Sequence, residues 1–297
     1  MKKRNTGSSS LDRRTHSHRS TDLSASVKAA LQAMDFTPSR HRGQNFLIDA
    51  TVARDEVALV DLPPGSAVVE IGGGLGMLST ALLERGFRPL TILEVDERLA
   101  SVLEANFTGR ATVLRVDALE SPLPPADAYV GNLPFSIATP LLLRLLEMGI
   151  PHGVFLVQRE VAERLSAAHG NRDYGPLTIQ ARLYGEFVTA GIVPRTAFFP
   201  LPRVDGALVV YRAAPLMPAP RDRELLMQLV RRTFSWRRKQ LHHTLPFVLH
   251  EFGVPETATS SLLEAAALPS EWGSLRPEDL SPECYVKLSL ALSDFQP

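Results

Sequence analysis

The chain has 297 residues, 44% hydrophobic and 22% charged, which is ordinary for a globular protein and long enough for two domains. No run reaches the roughly 18 uninterrupted apolar residues of a membrane-spanning helix. The lone Cys284 excludes an intramolecular disulfide and any cysteine-clustered metal site. The formal net charge of zero is assembled from blocks: six Lys/Arg against two Asp in residues 1–24, five basic residues and no acid in 225–250, then eight acids against two bases in 251–297. Such blocks are compatible with a local phosphate-binding face, although solvated helix faces also produce them.

Residues 1–24, rich in Ser, Thr, Arg and His, have no apolar period and are expected to be a disordered basic arm. An organellar transit peptide is the alternative; a secretory signal is not, because the apolar core segment is missing. Leu23, Val27, Leu31 and Met34 then recur at helical spacing. Residues 40–42 read either as a surface turn or as a phosphate contact. Asp49 is a plausible N-cap for a helix to about residue 60. From there strands and helices alternate: strands at 67–71, 90–95, 111–116, 128–131 and 153–157, helices at 77–85, 97–106 and 139–148. Buried, non-alternating strands in this rhythm predict an α/β fold with a parallel sheet covered on both faces. Segments 187–193 and 206–211 read as antiparallel additions. Residues 213–220, rich in Pro and Ala, read as a linker, and helical spacing follows to the end.

Gly72, Gly73, Gly74 and Gly76 fall between the first strand of that sheet and a helix, where glycine lets the backbone turn sharply and approach a ligand. Such loops serve dinucleotides and S-adenosylmethionine alike. Glu94, 22 residues beyond Gly72 and at the end of the next strand, can accept hydrogen bonds from both ribose hydroxyls of either cofactor. Asp117, at the end of the third strand, can accept from an adenine amino group or simply cap the following turn. Asp96 and Glu97 read as a helix start.

Asn132, Leu133, Pro134 and Phe135 follow the fourth strand and form the candidate chemical site. An adenine amino group is a poor nucleophile because its lone pair is delocalised into the ring. The Asn132 side-chain carbonyl and the Leu133 main-chain carbonyl can accept its two hydrogens and pull the nitrogen toward tetrahedral geometry. Pro134 biases Leu133 toward an extended conformation, and Phe135 offers a flat face to the base.

With these motifs in order, the chain resembles the KsgA-type rRNA adenine N6,N6-dimethyltransferases, a family shared with the erythromycin-resistance methyltransferases. The resemblance runs from about residue 42 to 245, and more loosely to the end. It implies a Rossmann-like class I methyltransferase domain over residues 25–212 and a small all-helical domain over 213–297. It implies S-adenosylmethionine as methyl donor, with no metal, held by Gln44, Asn45, Leu47, Gly72, Gly74, Glu94, Asp117 and Asn132. Gly73 stands where the family has proline, a departure expected to loosen the loop. Segments beginning at Gln158, Tyr174, Phe199 and Phe234 resemble the branch that dimethylates two adjacent adenines near the 3′ end of small-subunit rRNA. The other branch methylates large-subunit rRNA and confers macrolide-type resistance. A monomeric, cytoplasmic enzyme acting on the immature small ribosomal subunit is therefore expected, with Arg231, Arg232, Arg237, Arg238 and Lys239 contacting RNA. The adjacent His242 and His243 point in different directions on a helix and are not read as a metal pair.

Overall fold

A computed structural model describes residues 44–295 together with Leu31 and Phe36. The expectations for residues 1–24 and 40–42, and for the helix over 23–34 apart from Leu31, lie outside the described residues. Two compact units emerge. The first comprises the chain up to Leu142 with Gly153–Arg159 and Gly191–Leu208; the second comprises Leu143–His152, Glu160–Ala190 and Val209–Pro297.

The described elements begin with β1 (Phe46–Leu47), α1 (Ala50–Ala58), β2 (Val68–Ile71), α2 (Met77–Arg85), β3 (Leu90–Leu93), α3 (Glu97–Phe107) and β4 (Thr112–Leu114). Next come β5 (Ala128–Asn132), α4 (Ala138–Glu147), β6 (His152–Gln158), α5 (Arg159–Leu165), α6 (Pro176–Arg182), β7 (Gly185–Val193), β8 (Phe198–Phe199) and β9 (Gly206–Ala213). Four helices close the chain: α7 (Arg223–Phe234), α8 (Leu241–Glu251), α9 (Glu256–Ala265) and α10 (Pro282–Asp294).

Local chemistry sets several boundaries. The Asp49 carboxylate accepts from the Thr51 N–H at 2.8 Å and starts α1; Asp96 accepts from the Arg98 N–H at 3.1 Å and starts α3. Gly86, at φ 92°, ends α2 in the left-handed region. The seven-stranded sheet has the order β4-β3-β2-β5-β6-β9-β7. β2 runs parallel to β3 and β5, β3 to β4, and β5 to β6. The Ala213 N–H donates to Pro151 and the Arg159 N–H to Asp205, each at 3.0 Å. The end of β9 thus meets the start of β6, and the pairing is antiparallel, as expected for residues 206–211. Chain order reverses between β2 and β5, so the crevice beyond their carboxyl ends is where a sheet of this kind takes a ligand.

The second unit is built on helices. Leu226, Leu229 and Val230 of α7 pack with Leu245, Val248 and Leu249 of α8, Leu262 of α9, and Tyr285 and Leu288 of α10. Tyr174, Ile179 and Leu183 belong to the same core, so it draws on residues well before 213. Two buried phenols tie it: Tyr174 donates to the Leu280 carbonyl at 2.8 Å and Tyr285 to the Pro277 carbonyl at 2.7 Å.

Glu56 runs against the burial pattern. It lies fully buried on α1, and neither carboxyl oxygen has a hydrogen-bond partner. Burial pushes its pKa far above the ordinary range and the Glu70 carboxylate adds to this; the Gly131 amide opposes in part, although it is not placed for a regular hydrogen bond. Glu70 on β2 is pushed up to about 8 by burial, although it accepts from the Ser79 hydroxyl at 2.5 Å.

Both acids keep a proton in the folded chain that the unfolded chain releases near pH 4.5. Their contribution to stability is therefore full below that pH and is lost as pH rises toward 8. The carboxylates held low, Asp96, Glu104, Glu251 and Glu283, titrate below this window and do not mask it. Glu56→Leu should raise stability at pH 7.5 by about 1–3 kcal/mol and flatten the decline between pH 5 and 8, as read by thermal unfolding. A less stable variant would show that the acid is held by a partner. In the second unit, Tyr174→Phe should cost about 1–2 kcal/mol in denaturant unfolding, because it leaves the Leu280 carbonyl buried and unpaired.

Candidate active site

The carboxyl ends of β2, β3 and β5 open onto one cavity of about 610 Å³, within the first unit. Gln44, Asn45, Leu47, Gly72, Gly74, Glu94, Asp117, Asn132 and Pro134 all line it. Residues that sequence separates by up to 90 positions are thus brought together by the parallel sheet. Leu133 and Phe135 do not line it. Leu133 is buried and donates its N–H to Leu156 at 3.1 Å. Phe135 is half-buried and meets Phe198 edge to face, centroids 6.1 Å apart.

The glycine loop is fastened rather than loose. Gly72 and Gly73 donate to the Leu93 carbonyl at 2.8 and 3.2 Å, and Gly76 donates to Gly73 at 2.8 Å. Gly74 donates to Glu94 Oε2 at 2.9 Å. Gly72, Gly74 and Gly76 have φ of 78°, 54° and 81°, a region that glycine occupies without strain. Gly73 is required for another reason: a Cβ there would stand 2.4 Å from Ile92 Cγ2 and 2.7 Å from Leu103 Cδ1. The expectation that glycine here loosens the loop without removing a ligand contact concerns flexibility; what the fold adds is the packing of Ile92 and Leu103 against the position. Bulky Ile92 and Leu103 fill the space that a larger residue would need.

Glu94 does more than its strand-end position suggested. Oε2 holds Gly74, and Oε1 accepts from the Asp96 N–H at 3.0 Å. Burial pushes its pKa up, and the two amides oppose that shift. A carboxylate has about four lone-pair positions, so acceptor capacity toward a ligand remains. Asp117 caps its turn through Oδ1, which accepts from the Leu119 N–H at 2.8 Å, while also lining the cavity.

Asn132 ends β5 with its Oδ1 buried and without a hydrogen-bond partner. A buried acceptor left open is costly, and its place at the cavity marks where a donor from a ligand is expected. Among the described residues nothing donates to the Leu133 carbonyl either. Pro134 accepts from the Ile137 N–H at 3.0 Å, which fixes the turn into α4.

Sequence reasoning passed over Glu70 as a lining residue. Its signal was an acid in a four-residue strand that is buried throughout. Among the described residues the cavity is lined by the acids Glu70, Glu94 and Asp117 and by no Lys or Arg. That arrangement suits a ligand carrying positive charge and disfavours a pyrophosphate.

The five basic residues of the second unit divide. Arg232 is paired with Glu251 through two contacts. Arg237 Nε meets Glu278 at 2.5 Å, and its Nη2 donates to the Arg172 carbonyl at 2.5 Å. Arg231, Arg238 and Lys239 are exposed. His242 Nδ1 lies 2.6 Å from the Gly273 carbonyl.

Comparison with known proteins places the chain in a family. The family described as "Ribosomal RNA adenine dimethylase" matches residues 36–260. The "Ribosomal RNA small subunit methyltransferase A" of Latilactobacillus sakei is 36% identical over 284 residues, covering 90% of this chain and 94% of that protein. Its namesake in Streptomyces coelicolor is 38% identical, covering 89% and 94%. Among solved structures, a dimethyladenosine transferase from Plasmodium falciparum shares the fold with a TM-score of 0.72 at 24% identity, covering 82% of this chain and 96% of its own. The 23S rRNA methyltransferase ErmE follows at TM-score 0.63 and 25% identity, covering 84% and 100%. The open Asn132 acceptor, the fastened glycine loop and these matches together show that the chain is a methyltransferase of the ribosomal RNA adenine dimethylase family.

Proposed function

We propose that the protein uses S-adenosylmethionine to dimethylate N6 of two adjacent adenines near the 3′ end of small-subunit rRNA during ribosome assembly. The observation that carries this reading is the buried, unpartnered Oδ1 of Asn132, a residue of the acid-lined cavity. In the reading, Glu94 and Asp117 face the positively charged donor and accept from its ribose and adenine, and Gln44, Asn45 and Leu47 close the cavity. The sulfonium of the bound donor makes the methyl carbon electrophilic, so the step needs no metal ion.

The chain's own task is to hold the amino group. Asn132 Oδ1 and the Leu133 carbonyl accept its two hydrogens, which localises the nitrogen lone pair toward the methyl carbon. Phe135, braced by Phe198, gives the extruded base an apolar face. Arg231, Arg238 and Lys239 contribute phosphate contacts, whereas Arg232 and Arg237 must first leave their carboxylates. The reading carries with it a monomeric enzyme of the cytoplasm.

A large-subunit target is the second reading, favoured by the likeness to ErmE. The relatives at 36–38% identity over nearly their whole length are named for the small subunit, which supports the first.

Asn132→Ala should lower labelled-methyl transfer to small subunits lacking these methyl groups by about 10²-fold or more. Turnover within a few-fold of the parent would overturn the mechanism, and preferential transfer to large-subunit RNA would overturn the target. Calorimetric titration should detect S-adenosylmethionine and no NAD. Glu94→Ala should weaken that binding at least tenfold, because it removes the donor's contact and the Gly74 tether together. Tight NAD binding instead would sink the cofactor assignment.

A further inference from the structure

The helical unit carries a paired aromatic surface, Trp236 with Phe247, outside its own core cluster. Trp236, in the turn after α7, is 40% exposed, and Phe247 on α8 is 51% exposed. Their rings meet edge to face with centroids 6.2 Å apart and planes at 81°. The turn that presents Trp236 is held by backbone bonds from Trp236 to Thr233 at 3.1 Å, from Arg237 to Phe234 at 3.1 Å and from Lys239 to Trp236 at 2.8 Å. The Arg237–Glu278 contact at 2.5 Å anchors it further. The indole N–H has no acceptor among the described residues.

The surroundings are cationic. Arg238 and Lys239 follow Trp236 directly and are exposed. His243, Phe247 and His250 lie at i, i+4 and i+7 on the exposed side of α8. No acid occurs between residues 225 and 250, and the first one after them, Glu251, is occupied by Arg232. A protein docking here would have to bring both an apolar knob and an acidic rim. Each nucleotide of an unpaired RNA strand brings a flat base and a negative phosphate already joined, and stacking on an aromatic ring does not depend on the base's identity.

We propose that Trp236 and Phe247 form a stacking platform for an unpaired base of an RNA strand, with Arg238 and Lys239 holding the adjoining phosphates. This rests on the assignment of an RNA substrate, and it concerns binding rather than methyl transfer. In a Trp272→Phe background Trp236 is the one remaining tryptophan. Its emission should be quenched by a single-stranded ten-nucleotide oligouridylate and much less by a blunt RNA duplex of the same length. Trp236→Ala should weaken single-strand binding about tenfold at every salt concentration, leaving the slope of log K against log salt unchanged. The Arg238→Ala, Lys239→Ala double variant should instead lower that slope by about one to two, because phosphate contacts release counterions. Trp236→Phe should keep most of the affinity.

Unquenched emission at saturation, or affinity within twofold after Trp236→Ala, would overturn the platform. So would a Trp236-dependent dimer in sedimentation with RNA affinity untouched, which would assign the surface to self-association. Methyl transfer to undermethylated small subunits, measured in parallel, separates the two ideas. Transfer without quenching removes only the platform, whereas quenching without transfer supports the platform and removes the proposed reaction.

Discussion

The site depends on one buried carboxylate. Glu94 ends β3, accepts from Gly74 in the loop after β2, and accepts again from Asp96 at the start of α3. Three stretches that the sheet merely brings near one another are thereby fixed in mutual position. Without that bridge Gly72 and Gly73 would keep their bonds to the Leu93 carbonyl, but Gly74 would lose its tether beside β3. Charge-assisted bonds to backbone amides in a buried setting are among the stronger ones available to a protein. The cost is desolvation, visible as the upward push on the Glu94 pKa.

The alternation of strands and helices was legible in the sequence because β2, β3, β5 and β6 are buried on both faces and read as short apolar runs. The ends followed from short-range chemistry: Asp49 and Asp96 as caps, glycine at the end of α2. The order of site residues was legible too, since a parallel sheet puts every strand's carboxyl end on one edge. What stayed hidden was pairing without local signature. β1 and β8 are two residues each and about 150 positions apart, joined through Phe46 with Phe199 and Leu47 with Phe198. That pairing sets Phe198 beside Phe135 and so decides what stands behind the aromatic face of the site.

The helical unit shows the same limit. Helical spacing beyond residue 223 was plain, but α5 and α6 have only seven residues each and leave little periodicity to detect. Tyr174 joins the helical core through a hydrogen bond to Leu280, 106 residues away, which no window of sequence can contain. The ion pairs are another case. Arg231, Arg232, Arg237, Arg238 and Lys239 look equivalent on paper. Only the folded chain separates the two that meet Glu251 and Glu278 from the three left exposed.

Gly73 has a consequence for how this protein can change. The space that a side chain would occupy is already taken by Ile92 of β3 and Leu103 of α3, so the loop and the two elements behind it form one packing unit. A proline carried in from a relative would not arrive as a neutral exchange. It would have to displace the Ile92 and Leu103 methyl groups and give up the Gly73 N–H bond to Leu93. Substitutions at 73, 92 and 103 are therefore coupled, and the effect of any one of them depends on which residues occupy the other two.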